Sequence, residues 1–210
     1  MEVFIHVCKK DEYLFNKWLK FTRSLGDLPE MIVWAEDDVN LDCKIDKFFK
    51  SKYPYPTACS HVWYEAITTI NKPVLYLEPD AWVCNKNWYE ILKKEYNSCG
   101  CPGALVTSSE NPPHDMVGGI GIYDASKLPL PSFDDLLKQI PENAAFDLWI
   151  GNLNNNHVSK TKLIRHSFGI YLNNVLSGFH VFTNKEQFES ICSGAALFHK
   201  DAFGSVSKFV

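Results

Sequence analysis

The stretch Val74-Leu75-Tyr76-Leu77-Glu78-Pro79-Asp80-Ala81-Trp82-Val83, VLYLEPDAWV at 74–83, is an apolar run that ends on two carboxylates with a proline between them. The apolar part reads as a buried strand, and taking an unpaired carboxylate out of water is expensive. Something at the strand end must therefore neutralise the acids: a metal ion, a basic partner or solvent. Residues two apart in a strand face the same side, so Glu78 and Asp80 are expected to converge, with Pro79 limiting further ladder pairing. Hard oxygen ligands of this type suit Mg²⁺ or Mn²⁺. The alternative is an acidic turn that caps the segment after it.

Working outward, residues 2–8 (EVFIHVC) read as a first strand, and Asp11 opens a helix through DEYLFNKWLKFTRSLG that Gly26 closes in a left-handed position. A second strand over 30–35 ends at Glu36-Asp37-Asp38. A helix over 59–70 is expected to be capped by Ser60 and stopped by Asn71-Lys72-Pro73, with the strand 74–77 and a helix over 87–96 to follow. This β-α-β-α-β-α order predicts an α/β fold with a parallel sheet and helices on its faces. In open sheets of that kind ligands collect beyond the carboxyl ends of the strands. Both acidic stretches lie at such ends, which makes Asp37 a candidate for a nucleotide contact.

The second half reads differently. A strand over 104–107 and the loop SSENPPHD lead to MVGGIGIY at 116–123, a glycine-rich strand of the kind that lets a ligand approach the backbone. Helices follow over 133–140 and 144–153, the latter carrying Asp147 among apolar neighbours. Short strands over 163–166 and 195–199 each end on a histidine, His166 and His199. Histidine is a common nitrogen donor to Mn²⁺, although one beside a core strand is often a satisfied structural residue. No repeat or linker interrupts the chain, so one domain is expected.

With 210 residues, 46% of them apolar, the chain closes a core without staples. A formal net charge of −4 excludes a generally basic nucleic-acid coat protein. The loose basic runs Lys44, Lys47, Lys50, Lys52 and Lys160, Lys162, Arg165 are of the kind that usually forms solvated faces. Seven cysteines without a paired C-x-x-C spacing are expected to be free, mostly buried thiols in a reducing cytoplasm, and Cys99-Gly100-Cys101 is a weak zinc pattern. No basic-then-apolar leader and no membrane-length apolar run is present, so a cytoplasmic location without a membrane partner is expected.

Taken in order, VLYLEPDAWVCNKNWYEIL, HDMVGGIGIY, AFDLWIG and KLIRH resemble small GT-A-type glycosyltransferases encoded by bacteriophages, several of them associated with glycosylation of hydroxymethylated pyrimidines in DNA. The resemblance runs over roughly residues 57–206, and the acidic turn with its tryptophan-bearing helix is its most specific part. It implies a GT-A-like (Rossmann-like) fold with a mixed central sheet flanked by helices. Residues 1–100 would form the nucleotide-sugar-binding half and 101–210 the acceptor-binding half. It further implies Mn²⁺ or Mg²⁺, a UDP-sugar donor such as UDP-glucose, and a metal motif on Glu78 and Asp80 completed by a histidine, His199 or, alternatively, His166. The family's Lys-Asp-Gly-Ser stretch is altered here: Gly204-Ser205 is present, but the lysine is displaced to Lys200, directly after His199. Lys200 is nonetheless a candidate phosphate contact. Gly118 and Gly119 match the family's acceptor-side glycine loop and are candidates for contact with the bound nucleotide-sugar.

The activity so implied is transfer of a sugar from UDP to a hydroxyl, with Asp80 stabilising departure of the diphosphate and Asp147 taking the acceptor's proton. Asp147 has plainer readings as an N-cap or a member of a buried ion pair. The expected acceptor is a 5-hydroxymethylpyrimidine of DNA, with Trp63, Trp82, Trp88 and Trp149 as a candidate stacking surface. A protein or glycan acceptor, or an inactive sugar-nucleotide-binding module, are the alternatives, because one fold serves all three.

Overall fold

The computed structural model describes residues 1–100, 102–107, 119–166, 170–172, 175–178, 184–191 and 193–199, with backbone alone for 166, 170–172, 175–178, 191 and 199. Strand β1 (Glu2–Val7) leads through a 3₁₀ turn (Lys9–Asp11) into α1 (Glu12–Leu25), and β2 (Met31–Ala35) and β3 (Lys47–Phe48) follow. Then come α2 (Thr57–Thr69), β4 (Val74–Leu77), β5 (Trp82–Val83), α3 (Trp88–Ser98) and β6 (Ala104–Thr107). Beyond them lie β7 (Gly121–Tyr123), α4 (Phe133–Gln139), α5 (Phe146–Gly151), β8 (Val158–Thr161) and β9 (Ile164–His166). The last elements are β10 (Ile170–Leu172), β11 (Val175–Gly178), α6 (Lys185–Ile191) and β12 (Leu197–His199).

Seven strands form one sheet in the order β3-β2-β1-β4-β7-β6-β8, a small sheet has the order β5-β12-β9, and β10 pairs with β11. Within the large sheet β1 is parallel to both β2 and β4, whereas β7 runs antiparallel to its neighbours β4 and β6. The sheet is therefore mixed, as the resemblance implies, and only its first half is purely parallel.

Alternation along β1 explains the layering. Val3, Ile5 and Val7 face a core shared with Phe15, Trp18 and Leu19 of α1 and with Trp88 and Leu92 of α3. Phe4 faces the opposite core, built with Trp63, Ala66 and Ile67 of α2 and with Phe146, Trp149 and Ile150 of α5. Burying both faces of a parallel strand is what its near-continuous apolar run dictates.

Two local expectations are corrected. Helix α2 begins at Thr57 rather than after Ser60, because the carbonyls of Pro54 and Pro56 already accept the amides of Ala58 and Cys59. Ser60 is inside the helix, buried, and its hydroxyl has no hydrogen-bond partner among the described residues. Gly26 ends α1 at φ 154° and ψ −165°, an extended glycine conformation rather than the left-handed helical one. The strands β3, β5, β8, β10 and β11 and the helix α6 are additions, and strands of two to four residues carry too little alternation to be read from sequence.

Candidate active site

The chain order in the large sheet reverses at β1. From β1 it steps outward to β2 and β3, then returns through α2 to place β4 on the other side of β1. A crevice forms beyond the carboxyl ends of the strands at such a reversal, and this is where ligands bind in open α/β sheets. Asp11 follows β1 there, and Glu78 and Asp80 follow β4.

The turn after β4 is tightly built. Strand pairing stops at Leu77, and the amide of Ala81 donates to the Glu78 carbonyl at 2.9 Å. Trp18, buried in α1, donates its indole N–H to the Ala81 carbonyl at 2.6 Å. Glu78 and Asp80 thus lie in a hydrogen-bonded turn beyond the strand, so the strand alternation expected from sequence does not set their relative directions. Both are half-buried.

Electrostatics tie these carboxylates together. Burial, then the negative charges of Asp80 and Glu78, hold the Asp11 carboxyl above its ordinary value against the opposing pull of Lys10. The buried Tyr123 phenol is raised well above its usual range by burial and then by Asp147 and Glu78. Burial, with Asp11 and Glu36 adding to it, pushes the Cys8 thiol up to about 12. Glu78 is therefore common to two neighbourhoods, one with Asp80 and Asp11 and one with Asp147.

Asp147 lies in the first turn of α5, where its Oδ1 accepts from the Leu148 amide at 3.1 Å. It is not the N-cap; Ala145 occupies that position. Gly119 is close by: a Cβ built there would lie 3.7 Å from Phe146 and would run into the Glu78 carboxylate.

The histidines are placed by backbone register. Strand β12 runs antiparallel to β5, with Leu197 opposite Val83 and Phe198 opposite Trp82. Continued by one residue, that register sets His199 opposite Ala81, the neighbour of Asp80. His166 pairs with His199 from β9, on the far side of β12, and is one strand spacing of about 4.8 Å farther from the acidic turn.

Among the described residues no three His, Cys, Asp or Glu side chains gather as a metal-holding group. The side chains of His166 and His199 lie outside them, as do Gly118, Lys200 and Gly204-Ser205. The donor set in view, hard carboxylate oxygens at a strand end with a histidine position beside them, has the chemistry that suits Mg²⁺ or Mn²⁺.

Asp37 is exposed on the turn after β2. Trp63, Trp82, Trp88 and Trp149 are all 5% exposed or less, so they build the core and offer no stacking surface. Among the described residues the large apolar side chains that are exposed are Tyr13, Phe48 and Tyr55. The described cysteines are free, but Cys8, Cys43, Cys59 and Cys84 are half-buried and Cys99 is exposed, less buried than expected. Among the described residues no helix is long and apolar enough to cross a membrane.

Asp11 and Tyr123 are the residues that sequence reasoning missed. Asp11 reads from sequence as a helix opener, although the strand-end rule that selects Asp80 selects it equally. No sequence signal marks Tyr123.

No protein-family profile matches the chain, and no curated protein sequence does. Solved structures do. The galactosyltransferase LgtC in complex with donor and acceptor sugar analogues matches 98% of this chain and 88% of its own, at 9% identity and a TM-score of 0.58. An active-site mutant of LgtC matches 96% of this chain and 88% of its own, at 9% identity and a TM-score of 0.56. A glycosyltransferase involved in glycosylation of the major capsid of PBCV-1 covers 95% of this chain and 93% of its own at 9% identity, with a TM-score of 0.48. The fold is that of the GT-A glycosyltransferases.

Proposed function

We propose that the chain is a metal-dependent glycosyltransferase that moves a sugar, glucose from UDP-glucose in the first instance, onto a hydroxyl acceptor. One observation supports the reading: Asp11 follows β1, and Glu78 and Asp80 follow β4, at the end of the sheet where chain order reverses, in a GT-A fold. Like charges gather at a cost, and a cation with a diphosphate is the occupant that offsets it. Residues 1–100 supply the donor side and 101–210 the acceptor side.

Asp80 and Glu78, with His199 in preference to His166, would hold Mn²⁺ or Mg²⁺, whose chemistry there is charge stabilisation of the departing diphosphate. Lys200, next to His199 in sequence, is the candidate to contact the phosphates. Asp147, one residue beyond Phe146, accepts the proton of the attacking hydroxyl if the reaction inverts the anomeric carbon, and orients the acceptor if it does not. Asp37 is a weaker candidate for the nucleotide, because it sits on a solvated turn.

The acceptor we favour is a 5-hydroxymethylpyrimidine in DNA, on the strength of the sequence resemblance. A protein or glycan acceptor is the second reading, favoured by the burial of the tryptophans that would have stacked on a base. Incubation with a UDP-sugar panel, Mn²⁺ and DNA containing hydroxymethylcytosine or hydroxymethyluracil, read by nucleoside mass spectrometry and UDP release, tests both. Sugar on the base supports the first reading. UDP release that needs a glycan or peptide supports the second, and no metal-dependent release in any arm rejects the enzyme.

A further inference from the structure

Gly119 was expected to matter because a bare backbone lets a ligand approach. The register suggests a different reason. Strand β7 pairs antiparallel with β4, with Val74 opposite Tyr123, Leu75 opposite Ile122 and Tyr76 opposite Gly121. Continued by two residues, this register puts Glu78 directly across from Gly119. Cross-strand partners are where side chains meet on a sheet, so any side chain at 119 faces that of Glu78.

The space around the glycine agrees. A Cβ at Gly119 would overlap Glu78 Oε1 and lie 3.4 Å from its Cδ, while the next nearest atom among the described residues, Cζ of Phe146, is at an ordinary 3.7 Å. The Gly119 carbonyl is also held in place: the buried Tyr123 hydroxyl donates to it at 3.1 Å. The backbone at 119 is therefore a fixed floor on which the Glu78 carboxylate rests.

We propose that Gly119 is a positioning residue for Glu78, its missing side chain being the seat that fixes the carboxylate at the end of β4. The proposal rests on the donor-site reading for its consequence, since a displaced Glu78 would bind the cation poorly, but not for its geometry. Groups that orient metal-binding side chains typically cost 10- to 100-fold in affinity when altered, and a loss of about that size is expected from Gly119→Ala.

The test is Mn²⁺ titration of wild type, G119A, E78A, E78Q and the double variants G119A/E78A and G119A/E78Q, with a crystal structure of G119A. Weakened Mn²⁺ binding is expected when G119A is introduced into wild type. No further loss is expected when it is introduced into E78A, where the carboxylate is gone and the new methyl has room. In E78Q, which keeps the side-chain volume, G119A must again displace the side chain. An equal loss from G119A in the E78A and wild-type backgrounds would overturn the proposal. If E78A binds Mn²⁺ as tightly as wild type, the donor-site reading of Glu78 is what fails. The structure of G119A then decides the positioning role: a Glu78 carboxylate shifted off residue 119 supports it, and an unmoved one overturns it.

Discussion

Two acidic stretches end neighbouring regions of the same sheet, Glu36-Asp37-Asp38 after β2 and Glu78-Pro79-Asp80 after β4, and on sequence they look equivalent. In the fold they do opposite things. Glu36 accepts the Lys9 amide at 3.1 Å and its carbonyl accepts the Val39 amide, while the Asp38 carbonyl takes the Lys9 ammonium at 2.7 Å. That stretch is a solvated clasp holding the loops after β1 and β2 together. The stretch after β4 lies on the side of β1 to which the chain returns through α2, and the charges of Asp80 and Glu78 act on Asp11. What separates them is the side of β1 on which they lie: chain order turns back between β1 and β4, the place where open α/β sheets bind ligands.

The sharpest way to break this contrast is to neutralise one acid in each stretch. Asp80→Ala is expected to lower UDP release at least ~100-fold with the melting curve little changed, whereas Asp37→Ala should stay within about threefold of wild type. Equal losses in the two variants would erase the distinction. The histidines refine it further. His199→Ala should weaken Mn²⁺ binding by at least ~10-fold, as read by titration, and His166→Ala by much less, because β9 lies one strand farther from the turn.

A smaller effect is expected from the support beneath the acidic turn. Trp18→Phe removes the indole bond to the Ala81 carbonyl, leaving a buried acceptor unpaired at a cost of about 1–3 kcal/mol. For a chain of this size, thermal denaturation should show a fall of about 2–4 °C for each kcal/mol.

The smallest effect is one of sign. The Asp11 carboxyl is raised, so the folded chain holds its proton more tightly than the unfolded chain does. The stability that this proton contributes is full below the ordinary value of 3.8 and is lost as pH rises through the raised one. Asp11→Asn should therefore melt slightly higher than wild type at neutral pH, with the difference vanishing in acid, while binding Mn²⁺ less well. A lower melting point at neutral pH would mean that Asp11 is held by favourable contacts rather than crowded by like charge.

The alternation of strands and helices over the first hundred residues was legible because β1, β2 and β4 are largely buried on both faces and α1 carries one apolar stripe. Val74–Leu77 and the helix opened near Asp11 are cases in point. The mixed character of the sheet was legible only through the family resemblance, since nothing in Gly121–Tyr123 announces an antiparallel direction. Within the site, the acids of the β4 end could be read because carboxylates after an apolar run demand an explanation. Asp11 was hidden by a second plausible role, and the four tryptophans misled because stacking surfaces and cores use the same residue. The seat at Gly119 could not be read at all, for it depends on the register between two strands that are more than forty residues apart in the chain.

The most direct measurement is the anomalous diffraction of crystals grown with MnCl₂ and UDP. The account predicts a manganese peak at the end of β4, with Asp80 within coordination distance and the UDP diphosphate on its open side. A peak at the Glu36-Asp37-Asp38 turn, or UDP bound in the crevice with no metal near Asp80, would contradict it.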